Sequence, residues 1–584
     1  MQSTFIRSTL KYASIIILVF LLAACAANAT ETEPAPSVPT ESEAQTVPTP
    51  DVDFGQDGEP PRNPAQNTVL SSFTTEDFSG AGVCAICHTN LFDELGNDVS
   101  NTTDWRSTMM ANAATDPVWQ AKVSSEIVRN PDLEAVIQDK CISCHQPMAY
   151  TQAEVNGTEQ AMFGDGFLNP DNPLHVAAMD GVSCTLCHQV IEDNLGEEES
   201  FSGGFEIDAS TNPPTRPIHG PYENPNQQLM QNQSGFTPEF AAHSGSPELC
   251  ATCHNLYTPY VDAEGNILGE FPEQTPYTEW ENSQFGANET ACQSCHMPQA
   301  SGGVVISLMP GNLPAREPFF KHYFVGGNAF MLRILSDWGA DLGVTADKKH
   351  FDTTIARVKD QIGQRSAGLA VENLEIANNN LYATLKITPF TGHKFPTSFP
   401  SRRVWLHVTV TDAAGNLVFE SGKHNLDGTI TGNAADEDPM AYEPHYDLIT
   451  VADQVQIYEP IMVNSDGDVT YTLLRAASYI KDNRILPNGT DKASLPTDIA
   501  VYGEASEDTN FIGGSDMITY QIDISNAQGP FTFNAELLYE PLSYRFMVDM
   551  FTDNTPEIDQ FEGYYDETLK QPLLVATIEP LEVE

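Results

Sequence analysis

The chain has 584 residues, more than one hydrophobic core usually holds, so its length predicts two or more domains. Apolar residues make up 40% of it, as in soluble globular proteins, so most of the chain is expected to fold. The 27 basic residues stand against 81 acidic ones, a formal net charge of −54. This charge argues against a nucleic-acid partner and against binding by charge to an anionic membrane. It is typical of a surface kept soluble by self-repulsion, and it also favours a partner protein with a basic surface.

Residues 1–24 have the features of a signal peptide. Arg7 and Lys11 are positive, and the apolar run that follows has the length of a signal core but is too short to span a bilayer. The run ends in LAAC, which resembles a bacterial lipoprotein processing box and makes Cys25 the predicted lipidated residue. An ordinary secretory signal with a chance cysteine is the alternative. A lipid on Cys25 would anchor the exported chain to the lipid membrane, at the periplasmic face, the outer membrane or the cell surface.

The segment 25–70 is predicted to be a disordered tether. It is rich in Pro, Glu, Thr and Ala and poor in large apolar side chains, so it buries too little surface to offset the entropy of ordering. Its prolines favour an extended chain that holds the folded part away from the membrane.

Ten of the eleven cysteines follow one pattern, C-x-x-C-H, which occurs five times. The cysteine pairs are Cys84 and Cys87, Cys141 and Cys144, Cys184 and Cys187, Cys250 and Cys253, and Cys292 and Cys295. The histidines that follow them are His88, His145, His188, His254 and His296.

This pattern is the attachment signature of c-type haem. Two thiols at this spacing add to the two vinyl groups of one porphyrin, and the next residue can place an imidazole nitrogen on the iron. A redox dithiol needs one pair and no histidine, and zinc sites use such pairs two by two. A disulfide framework would not repeat one local spacing five times. The sequence therefore predicts five covalently bound c-type haems, each with an iron.

The motifs divide the chain into predicted segments. A pentahaem domain of short helices and loops covers 71–330, with a helical segment at 105–128 that is interrupted near Asp116 and Pro117. A helical connector covers 331–368. From 369 to 584 short alternating runs separated by turns predict an antiparallel, sandwich-like β-rich domain. Its clearest strands are 381–387, 403–410, 517–524 and 530–539, so the predicted fold class is α+β.

Nine histidines lie outside the motifs, enough for every iron to have a second histidine ligand. The predicted second ligands are His175, His219, His243, His322 and His393. His393 lies in a Gly/Pro loop between strands, from which it is expected to cap a haem and join the two domains. His445, Met109 and Met110 are alternatives to His219, whereas His407 lies in mid-strand and is expected to pack. Arg402 and Arg403 are either partners for haem propionates or a solvent-exposed pair.

Several stretches together resemble one family of proteins. They are DGVSCTLCHQV, LCATCHNLYTP, FPEQTPYTEWENSQF, CQSCHMP, HYFVGGNAFML and TGHKFPTSFPSRRVWLHV. They look like the bacterial multihaem c-type cytochromes of the cytochrome c-552/c-554-like family, related to the tetrahaem carrier that serves hydroxylamine oxidoreductase. The resemblance spans most of residues 80–540, and implies closely packed haems, bis-histidine ligation and electron transfer. The related pentahaem nitrite reductases have a lysine after one cysteine pair, and no C-x-x-C-K occurs here.

The predicted function is electron transfer through five haems outside the cytoplasm, to or from redox partner proteins. No catalytic residue is predicted. The alternative is an oxidoreductase that acts on a small nitrogen or sulfur compound at a haem with an open coordination site. A surface scaffold in which the haems only add stability is a third, weaker interpretation.

Overall fold

The computed structural model of the chain describes residues 61–584. The predicted signal peptide, Cys25 and the tether up to residue 60 lie outside the described residues. Residues 61–70, which the sequence also assigns to the tether, contact the folded part. The Asn63 amide donates to the carbonyl of Asp337 at 2.6 Å, and the Ala340 amide donates to the carbonyl of Asn63 at 3.0 Å. Within the described residues, none of the helices has the length and apolar character needed to cross a membrane.

The helices of residues 61–584 are mostly short. They are α1 Ala81–Ala85, α2 Asn101–Trp105, α3 Pro117–Arg129, α4 Glu134–His145, α5 Pro147–Asn156, α6 His175–Met179, α7 Cys184–Cys187, α8 Gln227–Ser234, α9 Pro247–His254, α10 Pro276–Glu281, α11 Gln284–Ala287, α12 Gln293–His296, α13 Ala329–Asp337, α14 Lys348–Arg365, α15 Tyr544–Met550 and α16 Pro556–Glu567. The break predicted at Asp116 is confirmed, because the Asp116 carboxylate accepts from the Val118 amide at 3.1 Å and caps α3. Residues 106–115 of the predicted helix are turns instead.

The strands of residues 61–584 form two larger sheets and three two-stranded ones. They are β1 Arg216–Gly220, β2 Phe236–Phe240, β3 Leu256–Val261, β4 Ile267–Gln274, β5 Ala367–Ala377, β6 Asn380–Pro389, β7 Arg403–Thr411, β8 Leu417–Ser421, β9 Leu448–Ile449, β10 Ile457–Tyr458, β11 Pro460–Val463, β12 Ser478–Asp482, β13 Asp516–Asp523, β14 Phe531–Glu540, β15 Leu573–Thr577 and β16 Leu581–Val583. One large sheet has the order β10-β7-β14-β15, with β8 beside β7 and β16 beside β14. The other has the order β5-β6-β13-β9. All the pairings are antiparallel except β1 with β2 and β9 with β13.

The alternation predicted for the β-rich part is confirmed. Val404, Leu406, Val408 and Val410 on β7 are fully buried, and β7 turns into β8 at residues 412–416. These side chains share one hydrophobic cluster with the buried faces of β6, β13 and β14, so the two larger sheets share a core. With helices and mostly antiparallel sheets, the chain is α+β.

Two features differ from a simple division into a helical and a β-rich half. Strands β1–β4 lie among the cysteine motifs, and α15 and α16 lie in the segment predicted as β-rich. In addition, α16 packs on α3, and Ala121 of α3 and Phe271 of β4 belong to the same hydrophobic cluster as the larger sheets. The motif-bearing region and the sheets therefore pack directly on each other, while the segment limits 71–330, 331–368 and 369–584 remain predictions.

Candidate haem sites

Each cysteine pair lies in or beside a single helical turn. The first motif begins in α1, the second ends α4, the third forms α7, the fourth ends α9 and the fifth overlaps α12. A helical turn places residues i and i+3 on one face, so both thiols of a pair point the same way. The amide of the motif histidine closes the turn, for example from His88 to the Cys84 carbonyl at 3.0 Å. The ten described cysteines are all free thiols.

Thiols from different motifs lie close enough to shift each other's pKa. The proximity of Cys84 and Cys184 raises the pKa of Cys84 and lowers that of Cys184. In the same way Cys144 lies beside Cys253, and Cys250 lies beside Cys292. The first motif is thereby next to the third, and the second and fifth motifs are next to the fourth.

Cys187 joins these two groups into one cluster, although the five motifs are spread over more than two hundred residues. It lies close enough to both cysteines of the fourth motif, Cys250 and Cys253, to raise their pKa values. Burial raises the pKa of Cys187 itself to about 12, so the thiol is neutral at pH 7.

Four of the five motif histidines are oriented by a main-chain carbonyl. Nδ1 of His88 lies 2.7 Å from the Ile306 oxygen, that of His145 3.1 Å from Ala113, that of His188 2.6 Å from His219 and that of His296 2.5 Å from Val325. A carbonyl only accepts, so Nδ1 carries the proton and Nε2 keeps the lone pair that binds a metal.

Burial lowers the pKa of His254, the histidine of the fourth motif, to about 4, so its ring is neutral at pH 7.

Two motif histidines lie opposite a second histidine. The ring centres of His188 and His322 are 6.4 Å apart with planes at 23°, and those of His296 and His393 are 6.2 Å apart at 24°. Two metal–nitrogen bonds of about 2 Å, together with about 1.1 Å from each nitrogen to its ring centre, would place the centres of two imidazoles on one metal about 6.2 Å apart.

The second histidine of each pair is also held in the metal-binding tautomer. Nδ1 of His322 lies 3.2 Å from the Phe320 oxygen, and Nδ1 of His393 lies 2.9 Å from the Lys394 oxygen. Burial lowers the pKa of His322 to about 3, which keeps the ring neutral. Both pairs therefore offer two neutral imidazoles with a free Nε2 atom each, and the separation of their ring centres matches two ligands on one iron.

The other three predicted ligands are not paired with a motif ring in this way. Nδ1 of His175 lies 2.8 Å from the Phe167 oxygen, which leaves Nε2 for a metal. His243 uses Nε2 to bind the Val190 oxygen at 2.8 Å, which leaves Nδ1. Both ring nitrogens of His219 are buried without a hydrogen bond, and its ring lies edge-on to His243 at 5.1 Å. Their role as ligands stays a prediction.

His445 is engaged elsewhere. Its Nδ1 accepts from the amides of Gln456 at 2.8 Å and Asn483 at 3.1 Å, so the proton lies on Nε2, which donates to Asp508 at 3.2 Å. His445, Asp508 and Asp516 have ligand atoms within 4.8 Å of one another. The two amide donors nevertheless leave His445 without a lone pair for a metal. This histidine therefore forms a buried hydrogen-bond network.

The expectations for His407 and the arginine pair have different outcomes. His407 lies on β7 between the carboxylates of Glu536 and Glu420, as expected for a packing role. Arg403 is fully buried and paired with Glu540 and Asp436, so both expectations for it were wrong. Arg402 donates to the Thr397 carbonyl at 3.0 Å and is close enough to His254 and His393 to lower their pKa values, so its contact with a propionate stays a prediction.

Two groups beside the second motif were missed at the sequence level. The Trp119 indole stacks on His145 with ring centres 4.5 Å apart and planes at 2°, and its Nε1 is buried without a partner. Gln146, the residue after His145, is fully buried with both amide atoms unpartnered. Buried polar atoms without partners are rare, so these mark a place where a polar group is expected. The signal that could have pointed to Gln146 is its position directly after a motif histidine. Gln189 occupies the same position in the third motif but is fully hydrogen-bonded, so the position alone does not identify an unpartnered glutamine.

Comparisons with known proteins add one similarity. No protein-family model matches the chain, and no curated protein matches it significantly. Among solved structures, the chain is similar to a penta-heme cytochrome c552 from Thermochromatium tepidum, with 15% sequence identity and a TM-score of 0.45. The match covers 85% of this chain and 98% of that one.

Proposed function

We propose that the protein is an exported electron-transfer cytochrome with five c-type haems, one attached at each C-x-x-C-H motif. The observation that carries this proposal is the pairing of His188 with His322 and of His296 with His393, at the separation of two ligands on one iron. When bound, the haems would supply one-electron redox chemistry. The chain supplies the thiols, the axial imidazoles and the arrangement of the five sites.

The thiol contacts support an order for the sites. The first motif touches the third through Cys84 and Cys184, the third lies next to the fourth through Cys187, and the fourth touches the fifth through Cys250. The second motif joins beside the fourth through Cys144. We expect a row in the order first, third, fourth and fifth, with the second site as a branch.

The proposed axial ligands follow from the histidine geometry. His322 would complete the third site and His393 the fifth, while His175, His219 and His243 remain the proposed ligands for the other three. The β-rich segment would form a sandwich-like domain that presents His393 to the motif region.

Haem content tests this proposal directly. The native protein, purified from its own membrane fraction, is expected to show the intact mass of the processed chain with five covalent haems, and five haem equivalents per chain by the pyridine haemochrome assay. A value below five haems would show that some of the proposed sites bind no haem. A protein without any bound haem would overturn the proposal. Electron paramagnetic resonance and near-infrared spectra of the oxidised protein then identify the axial ligands of each site.

One observation favours the alternative, an oxidoreductase with an open-site haem that acts on a small nitrogen or sulfur compound. In residues 61–584 the ring contacts give a second histidine to His188 and His296 but not to His88, His145 or His254. A high-spin signal, and a spectral change on adding nitrite, hydroxylamine or sulfite, would support this alternative. Five low-spin haems that bind none of these compounds would refute it.

Location and partners are proposed from the sequence. Cys25 would carry the lipid anchor, and the acidic charge would favour a basic redox partner. In the Cys25→Ala variant, the holoprotein is expected to move from the membrane fraction to the soluble fraction. If it stays in the membrane fraction, Cys25 is not the anchor.

A further inference from the structure

Four buried charges form a network next to His393. The Lys394 ammonium lies 2.7 Å from Asp482, and Arg484 donates to the same carboxylate at 2.7 Å and 2.9 Å. Arg484 also lies 2.9 Å from Glu279. The side chains are 4% exposed or less, and two positive charges balance two negative ones. Buried ion pairs of this kind hold together only while each charge keeps its partner.

The network joins three separate parts of the chain. Glu279 lies on α10, just before the fifth motif, whereas Asp482 ends β12. Lys394 and Thr397 lie in the loop between β6 and β7. The Glu279 carboxylate accepts from the Lys394 amide at 3.1 Å and from the Thr397 hydroxyl at 2.5 Å. The loop is therefore attached to α10 through its main chain and to β12 through the Lys394 side chain.

The same loop carries His393. The His393 ring is oriented by the Lys394 carbonyl, and the His393 carbonyl accepts from the Thr391 hydroxyl at 2.7 Å. Gly392 lies so close to α10 and α11 that an added Cβ would meet Phe285 at 3.1 Å and Trp280 at 3.4 Å. The position of the ring opposite His296 thus depends on the loop remaining pressed against this segment.

We propose that the network of Lys394, Asp482, Arg484 and Glu279 positions His393 as an axial ligand of the fifth site, with Lys394 as the positioning residue. Removing the Lys394 charge leaves Asp482 and Glu279 with Arg484 as their shared partner. Hydration of the surplus negative charge then requires the loop to open, and the loop carries His393 with it. This inference rests on the proposed function, because it assumes an iron at His296.

The test compares three variants of the full-length holoprotein by electron paramagnetic resonance and near-infrared spectroscopy. His393→Ala should convert one haem of five from low spin to high spin, and added imidazole should restore the low-spin signal. Lys394→Met should give the same high-spin signal, with the same response to imidazole. Thr397→Val, which removes a single hydrogen bond to Glu279, should convert a smaller fraction, and it decides the question if Lys394→Met does not fold.

Lys481→Met is the matched control. Lys481 is fully buried on the same strand as Asp482, but it pairs with Glu459 at 3.2 Å on the opposite face. This variant should lose stability and keep the wild-type spin states. If His393→Ala changes no haem, the proposed ligand itself is wrong. If His393→Ala changes one haem and neither Lys394→Met nor Thr397→Val does, or if Lys481→Met behaves like Lys394→Met, the positioning role alone is overturned.

Discussion

Replacement of His322 gives the sharpest test of how the sites are built. The His188 and His322 rings are 6.4 Å apart, and each uses Nδ1 for a carbonyl, so one iron between them would bind both Nε2 atoms. His322→Ala removes one of these ligands. The ring beside His322 is Phe324, edge-on at 5.5 Å, which has no donor atom to replace it.

The expected magnitude follows from the number of motifs. One haem of five should lose its second imidazole, so one fifth of the haem should become high spin in the oxidised protein. Haem content should stay at five, because both thioether bonds at Cys184 and Cys187 remain. Quantitative electron paramagnetic resonance measures the high-spin fraction, and a haemochrome assay measures the haem content.

His407→Ala serves as the control for this experiment. His407 binds Glu536 and Glu420 on β7 and is not expected to contact a haem, so its loss should leave all the spin states unchanged. If the high-spin fraction of His322→Ala stays at the wild-type value while five haems are bound, His322 is not a ligand. The geometric argument for both histidine pairs then fails.

Four further predictions concern stability, haem number and association. Arg403→Met leaves two buried carboxylates without their partner and should lower the free energy of unfolding by about 3–5 kcal/mol. Arg402→Met should lower it less. Equal decreases for the two variants in urea unfolding would contradict the pairing of Arg403 with Glu540 and Asp436. Burial raises the pKa of Asp516 to about 7, so its proton stabilises the fold at low pH and that contribution is lost as the pH rises from about 4 to 7. The stability of Asp516→Asn relative to wild type should therefore increase over this range, and a constant difference would refute the shift. Replacing both Cys292 and Cys295 by serine should reduce the haemochrome value from five haems to four. Mammalian cytochrome c, used as a basic probe, should accept electrons at least about tenfold more slowly at 0.15 M than at 0.01 M salt, because the net charge is screened; a rate independent of salt would exclude steering.

The C-x-x-C-H motifs and the strands were open to prediction because their signals are local. Two thiols and a histidine within five residues need only one helical turn to face the same way. The alternation along β7 likewise needs only a sheet with one buried face, and the four buried side chains from Val404 to Val410 lie where it predicts.

The pairing of a motif histidine with a second histidine is not a local property. His322 is paired with His188, and His393 with His296, across more than ninety residues in each case. Sequence context favoured His322 and His393 among nine candidate histidines but left His445 as an alternative. The hydrogen bonds separate His445, whose ring is fully engaged, from His322, whose Nε2 stays available.

Burial of charge was also beyond the reach of the sequence. Arg403 directly follows Arg402 at the start of β7, yet it lies in the core between Glu540 and Asp436. Whether an arginine faces solvent, a propionate or a carboxylate depends on which distant segments fold against it. A motif of five residues carries its own geometry, whereas a ligand pair or a buried ion pair exists only after packing has brought its two halves together.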